Sequence, residues 1–274
     1  MKTPQLKTLL IGKFSLFRLL RSAIAIYAIL CVYIFLIADS RIFLPPLSSY
    51  QTLPQTQTLT STSGIQITGQ YLPHPNARYT LLYSHGNAED LGMIQPVLEH
   101  FNQLGFSVFA YDYRGYGTSQ GRPTERGAYE DIRAAYAYLT ETLEIPPSQI
   151  ILYGRSVGGG PSIDLATQTP IAALVTENTF ISVLRVVTWI PLFPFDKFNN
   201  IAKIKQINAP LLIFHAKLDR VIPFIHGQKL YQVANSPKML VPIEGLGHND
   251  WMGRVDLYNE SLPKILGLKP RPKS

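Results

Sequence analysis

Residues 150–163 read IILYGRSVGGGPSI, an apolar run that passes through glycines into a helical segment. Short apolar runs of this kind are typical of a buried strand. The pattern Gly154-x-Ser156-x-Gly158 is typical of a sharp turn from strand to helix, which holds the middle serine in a strained, exposed position. Small residues are needed on both sides because strand and helix approach closely there. The segment predicts an α/β fold with Ser156 as its nucleophile.

A second match to the same pattern is Gly117-Thr-Ser119-Gln-Gly121. Only about 0.1 chance matches are expected in a chain of this length, so the pattern alone does not choose between the two serines. Ser119 comes well after its strand, and Pro123 follows before any helix can begin. We therefore interpret this match as a glycine-rich loop.

Apolar runs and helical patterns alternate over most of the chain. Strands are predicted at 65–71, 80–84, 107–111, 150–153, 172–176, 211–215 and 239–243, and helices at 91–104, 125–143, 158–167, 226–234 and 250–262. This order is typical of βαβ units, and it predicts a mostly parallel central sheet with helices on both faces. The carboxyl ends of parallel strands meet at one edge, where ligands bind in such sheets.

Two segments break the alternation. Residues 42–58 are rich in Pro, Ser, Thr and Gln and predict a linker before a domain at 59–274. Residues 180–208 are aromatic and interrupted by prolines, and they predict a short cap over the sheet edge. The cap could hold an acyl chain, touch a bilayer or simply cover the sheet; its apolar residues are Val186, Val187, Trp189, Ile190, Leu192, Phe193 and Phe195.

Charge is concentrated at the N-terminus of this 274-residue chain, whose net charge is +7. Residues 1–41 hold Lys2, Lys7, Lys13, Arg18, Arg21 and Arg41 against Asp39, which leaves only +2 for the remainder. The basic balance therefore gives no support to a nucleic-acid-binding surface. A single cysteine, Cys31, excludes a disulfide framework within the chain.

Residues 22–38 contain no charge, proline or glycine. As a helix they span about 25 Å against a hydrocarbon core of about 30 Å, and starting at Leu19 supplies the missing turn. With basic residues before it, residues 1–41 predict a cytoplasmic N-terminus and one transmembrane anchor, the main domain lying across the membrane. The alternatives are a signal peptide cleaved near Ala38-Asp39-Ser40 and a buried core helix.

A nucleophilic serine needs a base, and in this fold the base follows the serine in the chain. Three histidines follow Ser156. His215 ends an apolar strand and is expected to be structural, whereas His226 begins a helix and is expected to be exposed. His248 lies in the flexible sequence GLGHND after the last strand, so it is the predicted base.

A carboxylate must orient that base. Asp219 lies just past the strand at 211–215 and is the predicted acid, with Glu177 left as an alternative. Asp112 precedes the serine, which is the wrong order, and is expected to pair with Arg114.

Amide groups must stabilise the negative charge that develops on the substrate oxygen. The predicted donors are the N–H of Val157 and the N–H of Asn87, in the loop His85-Gly86-Asn87-Ala88. No histidine pair has metal-ligand spacing and no phosphate-binding loop pattern occurs, so neither a metal site nor a phosphate-binding loop is predicted.

Six sequences occur in order between residues 80 and 251: SHGNAED, DYRGYGTSQG, YGRSVGGG, ENTF, LDRVIP and GLGHND. Together they resemble the ABHD-type α/β-hydrolases, in particular the branch with an N-terminal membrane helix. The resemblance implies the α/β-hydrolase fold, a triad of Ser156, Asp219 and His248, an oxyanion hole at Asn87 and Val157, and no cofactor. Members hydrolyse esters and thioesters, and a related branch removes palmitoyl groups from proteins. This chain lacks the cysteine-rich N-terminus of that branch.

The sequence therefore predicts a membrane-anchored serine hydrolase that cleaves carboxylic ester or thioester bonds through an acyl-enzyme. Its expected substrate is a small-molecule or lipid-like acyl ester. Two alternatives remain: a serine peptidase with the same triad, and a non-catalytic binding module on the same fold.

Overall fold

The computed structural model describes residues 16–188, 190–235, 237–250 and 255–267. Lys2, Lys7, Lys13 and Trp189, on which the charge and cap arguments drew, lie outside these residues. The chain divides into two compact units, Met1–Ala38 and Asp39–Ser274.

Helix α1, Leu16–Ile42, is 27 residues long, or about 40 Å. Its most apolar 18 residues have a mean hydropathy of 2.3, and it is the one helix in the described part of the chain that is long and apolar enough to cross a membrane. Its apolar side chains are mostly exposed, as at Leu36, which is 73% exposed. A soluble core helix would bury such side chains, so this exposure argues against the core-helix alternative.

The second unit is built on an eight-stranded sheet with the order β1-β2-β4-β3-β5-β6-β7-β8. The strands are β1 (Thr56–Thr60), β2 (Gln66–Leu72), β3 (Thr80–Ser84), β4 (Ser107–Tyr111), β5 (Ile150–Arg155), β6 (Ala173–Glu177), β7 (Leu211–Ala216) and β8 (Lys238–Ile243). Strands β3 to β8 are parallel, while β2 is antiparallel to both β1 and β4. The predicted α/β-hydrolase fold with a mostly parallel sheet is confirmed.

Helices lie between the strands. They are α2 (Gln95–Gln103), α3 (Glu125–Ala137), α4 (Gly159–Ala166), α5 (Val183–Thr188), α6 (Asn200–Lys203), α7 (Ile225–Val233) and α8 (Val255–Ile265). Helices α5 and α6 lie within the predicted cap at 180–208.

The sheet is buried on both faces because its strands alternate between two apolar clusters. In β3, Leu82 belongs to one cluster, and Leu81 and Tyr83 belong to the other. The first cluster includes Ile132 of α3, and the second includes Phe101 of α2. Helices therefore cover both faces and leave the loops at the strand ends free to form a site.

Residues 42–58 differ from the linker expected of them. They belong to the unit that begins at Asp39, and they include the start of β1, an edge strand of sequence TQTLT in which only Leu59 is buried. Because β1 buries a single side chain, its sequence contains no apolar run that would predict a strand. Before β1, residues 42–50, which we call the lead-in segment, consist of the last residue of α1 and a stretch without regular structure, and they contact the loop after β3.

Candidate active site

The turn after β5 places Ser156 at the carboxyl edge of the sheet. Its φ of +53° lies in the left-handed region, which confirms the predicted strained conformation. A Cβ atom on Gly158 would overlap the carbonyl oxygen of Ser84, and one on Gly154 would overlap the carbonyl of Gly158. These contacts explain why both positions hold glycine.

The ring of His248 connects Ser156 to Asp219. The Ser156 hydroxyl donates to His248 Nε2 over 3.0 Å, and His248 Nδ1 donates to Asp219 Oδ2 over 2.6 Å. The other carboxylate oxygen of Asp219 accepts the N–H groups of Val221 and Ile222, at 2.9 and 2.7 Å. Because Oδ1 is held in this way, Oδ2 is fixed toward the imidazole and selects the tautomer whose Nε2 can accept a proton.

The alternative acid, Glu177, makes different contacts. It accepts the hydroxyl of Tyr153 and lies 3.7 Å from Arg155 Nε. The carboxylate within hydrogen-bond distance of the His248 ring is therefore that of Asp219.

The other two histidines after the serine are both buried. His215 Nε2 donates to the carbonyl oxygen of Ile222 over 2.8 Å, and burial lowers the pKa of His215. The expectation that His226 is exposed is wrong: it is only 4% exposed, and its Nδ1 accepts the N–H of Ile181 over 3.2 Å. Burial lowers the pKa of His226 to about 4, because the first turn of α7 packs under the cap segment.

The predicted oxyanion donors, the N–H groups of Asn87 and Val157, lie just after the ends of two neighbouring strands. Ser84 at the end of β3 pairs with Gly154 of β5. In the loop after β3, the N–H of Gly86 donates to Glu89 Oε2 over 2.8 Å, and that of Ala88 to Asn87 Oδ1 over 3.0 Å.

The amide of Asn87 lies between those two, and no described residue accepts its N–H. Val157 lies in the first helical turn after β5, where N–H groups have no partner within the helix. Both amides are therefore suited to bind a negative charge at the edge of the sheet.

The second serine pattern is a loop, as expected. Ser119 donates its hydroxyl to the carbonyl of Asp112 over 3.0 Å and accepts the N–H of Thr68 over 2.9 Å. Arg114 pairs with Asp131 at 2.7 Å and with Glu130 at 3.0 Å, so the expected pairing with Asp112 is wrong. Asp131 is the nearer carboxylate because α3 packs its first turns against this loop.

Arg155 is a site residue that the sequence reasoning missed. Its side chain is 4% exposed; Nη1 contacts Glu89 and Nη2 donates to Asn249 Oδ1 over 2.9 Å. Nη2 also lies 3.4 Å from the carbonyl oxygen of His248. One guanidinium therefore links the nucleophile turn to the loop after β3 and to the histidine loop. The only available signal was a charged residue at the carboxyl end of a buried strand.

Comparison with known proteins identifies relatives of the chain and solved structures that share its fold. Residues 75–202 match the family model described as serine aminopeptidase, S33. Human alpha/beta hydrolase domain-containing protein 17B is 41% identical over 199 residues, which cover 70% of this chain and 66% of that protein. The chain belongs to the α/β hydrolase family. The 17C protein of Mus musculus is 39% identical over 201 residues, which cover 70% of this α/β hydrolase and 59% of the relative.

The chain thus spans slightly less than two thirds of the length of these curated relatives. Solved structures share the fold at lower identity. The Pyrococcus furiosus esterase Pf2001 superimposes with a TM-score of 0.66 at 18% identity, covering 81% of this α/β hydrolase and 96% of the esterase. A puromycin-hydrolyzing peptidase of Mycobacterium tuberculosis gives 0.66 at 18% identity, covering 83% and 41%.

Proposed function

We propose that this α/β hydrolase is a serine hydrolase that cleaves carboxylic ester or thioester bonds through an acyl-enzyme. The observation that carries the proposal is the His248 ring, 3.0 Å from the Ser156 hydroxyl at Nε2 and 2.6 Å from Asp219 at Nδ1. This is the arrangement that makes a serine hydroxyl nucleophilic at neutral pH.

In the first half of the reaction, Ser156 Oγ forms a bond to the acyl carbon while its proton passes to His248 Nε2. The carboxylate of Asp219 stabilises the imidazolium without taking the proton itself. The tetrahedral intermediate then collapses, the bond to the leaving oxygen or sulfur breaks, and the leaving group takes the proton from Nε2. In the second half, water forms a bond to the acyl carbon while its proton passes to His248 Nε2. The bond between the acyl carbon and Ser156 Oγ then breaks, Oγ takes the proton from Nε2, and the acid is released.

The amides of Asn87 and Val157 supply the oxyanion hole in this proposal. A donor of this kind contributes about 3–4 kcal/mol to transition-state stabilisation. The assignment of Asn87 is supported by its main-chain N–H, for which no described residue is an acceptor. The N–H groups of Gly86 and Ala88, on either side of it, are both hydrogen-bonded.

A lipid-like acyl substrate is supported by the surface of the same edge. The segments between β3 and β4, between β6 and β7 and between β7 and β8 carry large exposed apolar side chains: Met93, Val187, Ile190, Leu192, Leu218, Val221 and Ile225. Exposed apolar side chains in the segments that follow these strands favour an acyl chain over a charged substrate, since they cannot compensate the desolvation of charge.

Membrane anchoring belongs to the same proposal. Helix α1 would cross the bilayer once, with the N-terminus cytoplasmic and the catalytic unit on the opposite side. The support is its hydropathy and the basic residues before it; a signal sequence is the other outcome. Protease protection of a C-terminal tag in intact membrane vesicles tests the orientation. A tag digested from the cytoplasmic side contradicts it, and a protein that begins after residue 38 contradicts the anchor.

A peptidase is the second candidate. It is favoured by the description of the matching family model and by the puromycin-hydrolyzing peptidase among the similar folds. The full chain, assayed in detergent with p-nitrophenyl esters of increasing acyl length, the matching thioesters and aminoacyl p-nitroanilides, separates the two. Esters and thioesters are expected to be cleaved faster, and preference for the anilides would support the peptidase.

A fluorophosphonate probe tests the serine hydrolase itself. Membrane fractions holding the full chain should be labelled, and Ser156→Ala should abolish labelling, whereas Ser119→Ala should be labelled like the wild type. A folded wild-type protein that is not labelled would favour the binding module and contradict the proposal.

A further inference from the structure

The lead-in segment, residues 42–50, is held against the catalytic unit by a buried aromatic residue. Phe43 is 3% exposed. Its ring centroid lies 6.0 Å from that of Phe198 and 6.4 Å from those of Tyr113 and Tyr116, in edge-on geometry. Edge-on aromatic contacts with this burial fix the position of the main chain on either side of Phe43.

The main chain on either side of Phe43 holds the side chain of Asn87. Asn87 Nδ2 donates to the carbonyl oxygen of Ile42 over 2.5 Å, and Asn87 Oδ1 accepts the N–H of Leu44 over 2.9 Å. The Tyr116 hydroxyl also donates to Oδ1, over 2.7 Å. The carboxamide is thus bonded at both ends and points toward the lead-in segment.

The C-terminal end of the lead-in segment contacts the C-terminal end of the loop after β3. The N–H of Ser49 donates to Asp90 Oδ2 over 2.6 Å, and its hydroxyl donates to the other oxygen. The Tyr50 hydroxyl donates to Asp112, whose Oδ1 accepts the N–H of Leu91 over 2.9 Å. The loop that contains the Asn87 amide is therefore attached to the lead-in segment at Asn87 and again, three residues later, at Asp90.

We propose that the lead-in segment is a positioning element of the oxyanion hole, acting through the side chain of Asn87. The inference rests on the proposed function, in which the Asn87 N–H binds the oxyanion. The next residue, Ala88, has a φ of +56°, a strained conformation that persists only where neighbouring contacts enforce it. The contacts that Ile42, Leu44 and Tyr116 make with the Asn87 side chain hold the residue directly before this strained position. A catalytic group displaced by about 1 Å loses about 100-fold in rate.

Leu44→Pro in the full chain, purified in detergent, is the sharpest test because it removes an N–H that donates to both Asn87 Oδ1 and the Tyr116 hydroxyl, at a residue outside the sheet. Thr52→Pro is the matched control, since it adds a proline to the same uncharged part of the chain where no described residue accepts the N–H. The substrate is p-nitrophenyl butyrate, and active sites are counted with a fluorophosphonate probe.

We expect Leu44→Pro to lower kcat per titrated active site at least tenfold, with KM within about twofold, and Thr52→Pro to retain wild-type kcat. A merely structural role would reduce the number of active sites and leave kcat per site unchanged. Inhibition by a butyl boronic acid, which forms a tetrahedral adduct, should weaken by the same factor as kcat/KM.

Asn87→Ala provides a second variant if Leu44→Pro does not fold, because it keeps the main-chain N–H and removes the side chain that is held. It too should lose at least tenfold in kcat per site. If the probe labels the wild type and the folded variants keep the wild-type kcat per active site, this inference is overturned and the proposed function is not. An unlabelled wild type overturns the proposed function, and this inference with it.

Discussion

Asn178 Nδ2 donates a hydrogen bond of 3.0 Å to the main-chain carbonyl of His248, the residue whose ring contacts Ser156. Asn178 follows β6 with a φ of +48°, in the left-handed region that asparagine tolerates better than most residues. Its Oδ1 accepts the N–H of Ala216 over 2.8 Å. One carboxamide therefore ties the histidine loop to the ends of two central strands.

Replacing Asn178 with aspartate tests the role of the hydrogen bond to His248. Aspartate keeps the shape and still accepts the N–H of Ala216, but it cannot donate to the carbonyl of His248. We expect Asn178→Asp to lower kcat about tenfold, because the imidazole is then less well oriented. The rate should be measured on the high-pH plateau of the pH–rate profile, so that the comparison is made between fully active forms. Wild-type kcat on that plateau would show that the hydrogen bond does not orient the ring.

Asp219→Asn should lower kcat by about 10⁴-fold. An amide at this position can donate to Nδ1, which favours the tautomer whose Nε2 carries a proton and cannot accept that of Ser156. Steady-state hydrolysis of p-nitrophenyl butyrate measures the effect. Glu177→Gln is the comparison, and its loss should be far smaller; the reverse order would identify Glu177 as the acid.

Arg155→Met should destabilise the fold. The substitution leaves the carboxylates of Glu89 and Glu177 without their buried cation, a loss of about 3–5 kcal/mol, equivalent to a Tm decrease of about 10 °C. The control is Arg126→Met, because Arg126 is 90% exposed in its pair with Glu130 and such pairs contribute about 0.5 kcal/mol or less. Equal Tm values for the two variants would contradict the central role of the Arg155 cluster.

His226 makes stability depend on acid pH. Its pKa is lowered to about 4 in the folded protein, first by burial and then by neighbouring positive charge, from a usual value of about 6.5. Between these values the unfolded chain binds more protons, so this contribution is complete above pH 6.5 and is lost as the pH falls toward 4.

The Tm of the wild type should therefore fall more steeply over this interval than that of His226→Asn. Asparagine does not titrate, and its Oδ1 can accept the N–H of Ile181 in place of Nδ1. Parallel Tm curves from pH 7 to pH 4 would rule out the contribution of His226.

The central sheet follows from the sequence because its strands are buried on both faces. Residues 80–84 and 107–111 have the predicted bounds, since every residue in them is buried and the apolar runs end where the strands end. Strand β1 was missed for the opposite reason, as it buries only Leu59. The start of α2 was placed too early, because the loop before Gln95 is as apolar as a helix face.

The candidate site divides in the same way. The turn at Ser156 is local, so its strained conformation could be predicted from two glycines. The proximity of Asp219 and His248 agrees with the chain order expected of the fold, and their catalytic roles stay predictions. Arg155 and Asn178 were missed because their partners are distant in the chain, as Glu89 is from Arg155 and His248 from Asn178, and composition carries no sign of such pairing.

The hydrogen bonds between Asn87 and the main chain at residues 42 and 44 bear on how the protein is prepared for experiments. A fragment trimmed for crystallisation at the start of the sheet would lack them, and low turnover in it would be mistaken for absence of the right substrate. Trimming should stop before Asp39, whose carboxylate also binds Lys197 of the cap at 3.0 Å. If the apolar helix is replaced with a soluble tag, the junction should lie before Asp39.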